Sequence, residues 1–166
     1  VWPSVQKDLR ALLKTLRQPA KARAQGNRLD GQQPTPTLEA EHLHHLYTDA
    51  STTGGGALYL GDSRTSRSFP WTGDALGAPI HRLEALALEE GVDMVLPNTK
   101  PGDTILAYVD NTVVDYAWGK GNSKDPLLAD ILARLERTLA KHDVRLMTTW
   151  VPTDKQLADS LSRQHE

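Results

Sequence analysis

The sequence predicts an α/β domain, a mixed β-sheet with helices on its faces. Two observations predict it. Three strand-like runs come first, between His45 and Trp71, and helical patterns then alternate with two more short apolar runs. That order suits a sheet whose later strands are joined through helices.

Each element has its own local signal. Residues 4–17, SVQKDLRALLKTLR, place Val5, Leu9, Leu12, Leu13 and Leu16 on one helical face, with Ser4 after Pro3 as a cap. Residues 18–40 turn rich in Gln, Pro, Gly and Ala, the composition of a linker. The compact domain is therefore expected over residues 41–166, with residues 1–40 as a basic amphipathic helix and linker. HLYTDA and GGALYLG predict two strands joined by a Gly-rich bend. SRTSRSFPW predicts a polar edge strand with Pro70 at its end, where a missing donor does least harm. IHRLEALALEEGV has Ile80, Leu83, Ala87 and Leu88 at helical spacing. TILAYVD predicts a buried strand, and NTVVDYAWGKG a short helix stopped by Gly119 and Gly121. DPLLADILARLERTLAKHD predicts a helix with Pro126 in its first turn. VRLMTTWVP predicts the last strand, and TDKQLADSLSR a closing helix capped by Thr153 or Asp154.

Composition narrows the functional classes. The chain has 166 residues, 39% hydrophobic and 24% charged, enough for one domain with a core. It has no cysteine, which excludes disulfides and thiolate metal sites. No apolar run approaches the roughly 20 residues that span a bilayer, and there is no secretory signal. The expected setting is intracellular, in cytoplasm or nucleus, with no membrane partner. A first residue of Val suggests a segment of a longer protein. Net charge is −2, but residues 1–28 carry seven basic residues and one acid, so that stretch is +6 and the remainder −8. A basic arm on an acidic body suits a phosphate-bearing partner; a solvated helix face with a linker is the plainer alternative.

Four acids stand among apolar neighbours: Asp49 late in the first strand, Glu84 in the IHRLEAL helix, Asp110 at the end of TILAYVD, and Asp159 in the closing helix. Each alone has an ordinary role. Asp49 could cap a turn, Glu84 could be solvated, Asp110 could cap the next helix, and Asp159 could pair with Arg163 at i, i+4. Together they form an ordered pattern that caps do not predict. Four clustered carboxylates stay charged only with cations, and two Mg2+ ions roughly 3.5–4 Å apart would compensate them and build a phosphodiester-cleaving site. Mg2+ suits a donor set of hard oxygens, with Mn2+ as a possible substitute.

YTDAS followed by GGGA, then IHRLEALAL, YVDNTVV and VPTDKQLADSLSR resembles the ribonuclease H domain of reverse transcriptases. The flavour is that of DIRS-type retrotransposons and hepadnaviral polymerases, over roughly residues 44–164. The resemblance implies a ribonuclease H-like, five-stranded mixed sheet of order 3-2-1-4-5 with helices on both faces. It implies an endonuclease that hydrolyses the RNA strand of RNA–DNA hybrids by two-metal catalysis, leaving 3′-hydroxyl and 5′-phosphate ends. The partners would be the hybrid and the polymerase domain of the same polyprotein. Asp49 would bridge both metals, Glu84 and Asp110 would hold one, with Glu84 near the ribose 2′-hydroxyl, and Asp159 would hold the other. A catalytically degraded module that binds nucleic acid or supports the polymerase is the alternative; the presence of all four acids argues against it.

The secondary candidates concern substrate. Gly54, Gly55 and Gly56 would let the hybrid backbone approach, or simply form a turn. Ser51 and Asn111 could reach phosphate or 2′-hydroxyl groups, Asn111 also being a candidate helix cap, and His81 could contact substrate. Trp71 could stack on a sugar or base, or be partly buried; Trp118 and Trp150 are expected to pack. His42, His44 and His45 look like a metal cluster but lack partners at ligand spacing beyond Glu41. Many ribonucleases H carry a histidine in the loop before the last aspartate; here that loop, VPTDKQ, has none, and His165 lies past the closing helix. The basic insert that some members use to grip the hybrid is also missing, a role the +6 arm could take.

Overall fold

The structure, a computed structural model, describes residues 42–61 and 64–166. The helix expected at residues 4–17, the linker at 18–40 and the basic arm lie outside the described residues.

Strand β1 (Leu43–Ala50) runs through the middle of the sheet. It pairs antiparallel with β2 (Gly54–Leu60), which pairs antiparallel with β3 (Arg64–Pro70). On its other side β1 pairs parallel with β4 (Thr104–Val109), and β4 pairs parallel with β5 (Arg145–Trp150). The order is 3-2-1-4-5. The mixture follows from the connections, since short turns join antiparallel neighbours while crossovers through helices join parallel ones. β3 is largely exposed, as its polar sequence requires of an edge.

Three helices build the main core. α1 (Ile80–Val95) lies against β1 and β2, and α3 (Pro126–Lys141) lies against α1. α2 (Thr112–Lys120) covers part of β4 and β5. Leu46, Leu88, Val92, Ile105, Trp118 and Leu135 meet in this layer. α1 comes close to the sheet because Gly91 has no side chain: a Cβ there would lie 2.5 Å from Thr48 Cγ2. Ile80, placed in the core stripe by spacing, opens α1 and is exposed. α2 ends at Gly121, whose φ of 85° is left-handed; Gly119, expected to share in the stop, stays inside the helix. The sheet's other face carries a smaller cluster, Leu106 and Met147 with Leu43 and Tyr108.

Two further expectations change. The Gly-rich bend is strand: Gly54 opens β2, and the turn is made by residues 51–53. The glycines are needed because other parts of the chain crowd them. A Cβ at Gly55 would lie 2.2 Å from the Phe69 ring, and one at Gly56 2.6 Å from Leu161 Cβ. The closing helix is also broken into a 3-10 turn, Thr153–Lys155, and a single short α-helix, α4 (Asp159–Ser162). Between them Gln156 adopts φ −82° and ψ 105°, an extended conformation that no helix admits. Its side chain turns into the sheet instead.

Candidate active site

The two parallel strands β1 and β4 pair up to Tyr47 and Tyr108 and then part. Gln156 fills the parting. Its amide nitrogen donates to the carbonyls of Thr48 (2.9 Å) and Tyr108 (3.0 Å), and its amide oxygen accepts from the Ala158 N–H (3.2 Å). Asp49 follows the first of these residues directly, and Asp110 lies two positions past the second. The splay therefore brings two strand-end carboxylates together, and α1 brings Glu84 to the same place.

Asp49, Glu84 and Asp110 each offer a carboxylate oxygen within 4.8 Å of the other two. Asp49 is 3% exposed and Glu84 5%, while Asp110 is half-buried. Burial first, then the Asp110 carboxylate, raises the Asp49 pKa to about 7. Glu84 is pushed up to about 10, again by burial first and then by Asp49 and Asp110. The Ser162 hydroxyl opposes the Asp49 shift by donating to Oδ2 at 2.9 Å. Glu84 Oε2 is buried with no hydrogen-bond partner. Such a group is costly in a folded protein unless a further ligand satisfies it.

Asp159, the fourth predicted acid, opens α4 close enough to contribute to the Asp49 shift. It lies outside the group of three, and its Oδ1 accepts from Arg163 Nε at 3.2 Å. The i, i+4 pair read from the sequence is thus present together with proximity to the site. α4 reaches Asp49 because Gly56, its register partner on β2, leaves room for Leu161 and the Ser162 backbone.

The predicted substrate residues have partners within the chain. Ser51 Oγ donates to the Ser162 carbonyl at 2.6 Å. Asn111 caps α2, its Oδ1 accepting from the Val114 N–H. His81 bonds Asp125, which also receives two bonds from Arg82 and is held well below the usual carboxylate range by them. Space beside Gly54 and Gly55 is taken by His165, Phe69 and Trp71. Trp71 is buried, donating to the Ser51 carbonyl, and Trp118 packs in the core. Trp150, expected to pack, is exposed, with its indole N–H on the Asp110 carbonyl at 3.1 Å. His44 bonds Tyr59 and Asp103, and His42 also bonds Asp103, so this cluster finds a carboxylate that lies 59 residues away from His44 in sequence. A cleft of about 590 Å³ opens between His81, α2 and the start of α3, with Tyr116, Lys120 and Lys124 among its walls and none of the four acids.

Gln156 and Ser162 carry the geometry and were missed as functional. Only their place in the motif that supplies Asp159 hinted at them. Their role depends on a broken helix that no periodicity reveals.

This architecture is that of ribonuclease H domains. The N-terminal RNase H domain of Rv2228c from Mycobacterium tuberculosis superposes with a TM-score of 0.58 at 16% identity, over 72% of this chain and 95% of that one. RNase H1 from the halophilic archaeon Halobacterium salinarum gives 0.53 at 18%, over 72% and 92%. LC11-RNase H1, solved with an RNA/DNA hybrid, gives 0.56 at 14%, over 72% and 91%. No protein-family model matches the chain, and no curated protein matches it.

Proposed function

We propose that this chain contains the ribonuclease H domain of a reverse transcriptase polyprotein and hydrolyses the RNA strand of RNA–DNA hybrids. The observation that carries this reading is the convergence of Asp49, Glu84 and Asp110 within 4.8 Å, with Glu84 Oε2 buried and unpartnered. The hybrid bound by LC11-RNase H1 supports the substrate class, and the AD-x-LSR and VDN motifs support the retroelement setting.

The donor set fits Mg2+ or Mn2+: all ligands are carboxylate oxygens, and the crowded acids need positive charge. Asp49 would touch both ions, Glu84 and Asp110 one, and Asp159 the other. When bound, the ions supply an activated water and offset charge developing on the scissile phosphate. The chain's own residues supply placement. Ser162 fixes the Asp49 carboxylate, and Gln156 holds the two strand ends apart at the width the acids need. Asp159, partly exposed at the start of α4, would complete this set of carboxylates. In the cleft between α2 and the start of α3 Lys120 lies 5.6 Å from the centre of the Tyr116 ring, a cation and an aromatic surface suited to a sugar-phosphate strand.

A labelled RNA–DNA hybrid, double-stranded RNA and double-stranded DNA, each with and without Mg2+, test the reading. Only the hybrid is cut, only with metal, and Asp49→Asn abolishes cutting. Wild-type-like cutting by that variant overturns the assignment. The Asp159–Arg163 pair favours a second reading, a degraded module that binds nucleic acid without cleaving it. Hybrid binding with no product in either Mg2+ or Mn2+ would select it.

A further inference from the structure

The second face of the sheet poses a packing problem. Leu106 and Met147 pair in register across β4 and β5 and are each 2% exposed. Leu43 and Tyr108 pack against them, and Tyr47 stacks on Tyr108 with ring centres 4.4 Å apart. Neighbours within a sheet cannot by themselves hide side chains that stand perpendicular to it; hiding them takes a second layer. Among the described residues, α1, α2 and α3 form the opposite layer, and α4 lies over β1, β2 and β3. On this second face no described helix supplies the layer over β4 and β5. The neighbouring His45 feels the same burial, which lowers its pKa.

We propose that residues 4–17 dock as an amphipathic helix on this face and complete the domain. Three observations choose this occupant. The N-terminal stretch outside the described residues ends at Glu41, two positions before Leu43, which opens β1 and packs against the cluster. The 24 residues from Gln18 to Glu41 span on the order of 25–30 Å as a coil, about the width of a small domain, so the helix stays at high local concentration over this face. The pattern fits too. Val5, Leu9, Leu12, Leu13 and Leu16 share one side of the helix, and Lys7, Arg10, Lys14 and Arg17 fall on the other. The stripe meets the sheet, the basic side faces solvent, and the +6 segment lies on a −8 body.

The composition provides the test. The chain has no cysteine and two methionines, Met147 on this face and Met94 in the main core. A nitroxide on Lys14→Cys, in the 166-residue chain with 13C-labelled methionine methyls, broadens Met147 far more than Met94. Adding Leu12→Asp and Leu13→Asp to the labelled chain restores the Met147 signal. Two intact methyl signals in the labelled chain overturn the proposal, as does Met147 broadening that survives the two aspartates. A mixed sample, with the nitroxide on one copy and 13C on another, loses no signal. Broadening there would mean that the helix covers a second copy, which also overturns the docking within one chain.

Discussion

Asp49 and Glu84 share a pocket with Asp110, and their response to pH follows from that crowding. An ordinary carboxylate loses its proton near about pH 4 in an unfolded chain. The folded protein holds the proton on Asp49 to about pH 7 and on Glu84 to about pH 10. Between the unfolded and folded values the native state binds more protons, so stability falls as pH rises through that window. The metal-free protein should melt highest near about pH 5 and progressively lower toward about pH 8. Mg2+ should raise the melting temperature more at the upper end, where protons no longer compete for the ligands. A metal-free melting temperature that climbs across this range would contradict the cluster. Asp49→Asn removes one buried charge from the group; it should stabilise the metal-free protein at about pH 8 by on the order of 1 kcal/mol or more while cancelling the Mg2+ response. Thermal melts read both. The acids themselves were legible, because each stands among apolar residues where a lone charge is expensive. Ser162 was not, since a serine beside a leucine gives no sign that its hydroxyl will meet Asp49 across 113 positions.

The elements differ in how their glycines hold them. At Gly91 a Cβ meets the side chains of Thr48 and Leu46, so Gly91→Ala gains about 1 kcal/mol of helix propensity but loses about 1–3 kcal/mol to overpacking. It should lower stability, seen in the denaturation midpoint, and leave the Mg2+ response intact. At Gly56 a Cβ meets backbone, 2.7 Å from the Ser162 nitrogen and 2.9 Å from the Ala158 carbonyl oxygen. Gly56→Ala must therefore displace α4, which carries Asp159 and Ser162. A shift of about 1 Å there should lower cleavage by roughly a hundredfold and weaken the Mg2+ effect on melting. If the two variants behave alike, α4 does not position the site. Gln156→Leu removes both donors between β1 and β4 and leaves two carbonyls unsatisfied, which should cost about 1–3 kcal/mol and reduce cleavage together with the metal response. The strands and the three long helices were legible from periodicity and stop signals. α4 was not, because a hydrogen-bonded Gln side chain, not a helix breaker, interrupts the pattern.

At the scale of the molecule, a mixed sheet was legible once three runs preceded the interleaved helices; the strand order was implied only by the family resemblance, and the sheet has that order. Pairings between segments far apart in sequence were not, the His44–Asp103 pair being one example. Charge distribution sets the last expectation. An acidic body repels a polyanionic duplex at long range, and clustering Asp49, Glu84 and Asp110 adds to that repulsion until cations bind. Affinity for the hybrid then has to come from cations placed elsewhere, and residues 1–28 hold the densest group in the chain. If Lys7, Arg10, Lys14 and Arg17 face solvent from a docked helix, they reach phosphates without entering the site. Replacing these four by Gln should weaken hybrid binding and flatten its dependence on salt, by about 0.9 in the log–log slope for each phosphate no longer neutralised. The substitutions leave the apolar stripe untouched, so melting temperature should hold while affinity falls. Binding isotherms over a series of salt concentrations decide it: an unchanged slope would make the segment a cover for the sheet with no part in holding nucleic acid.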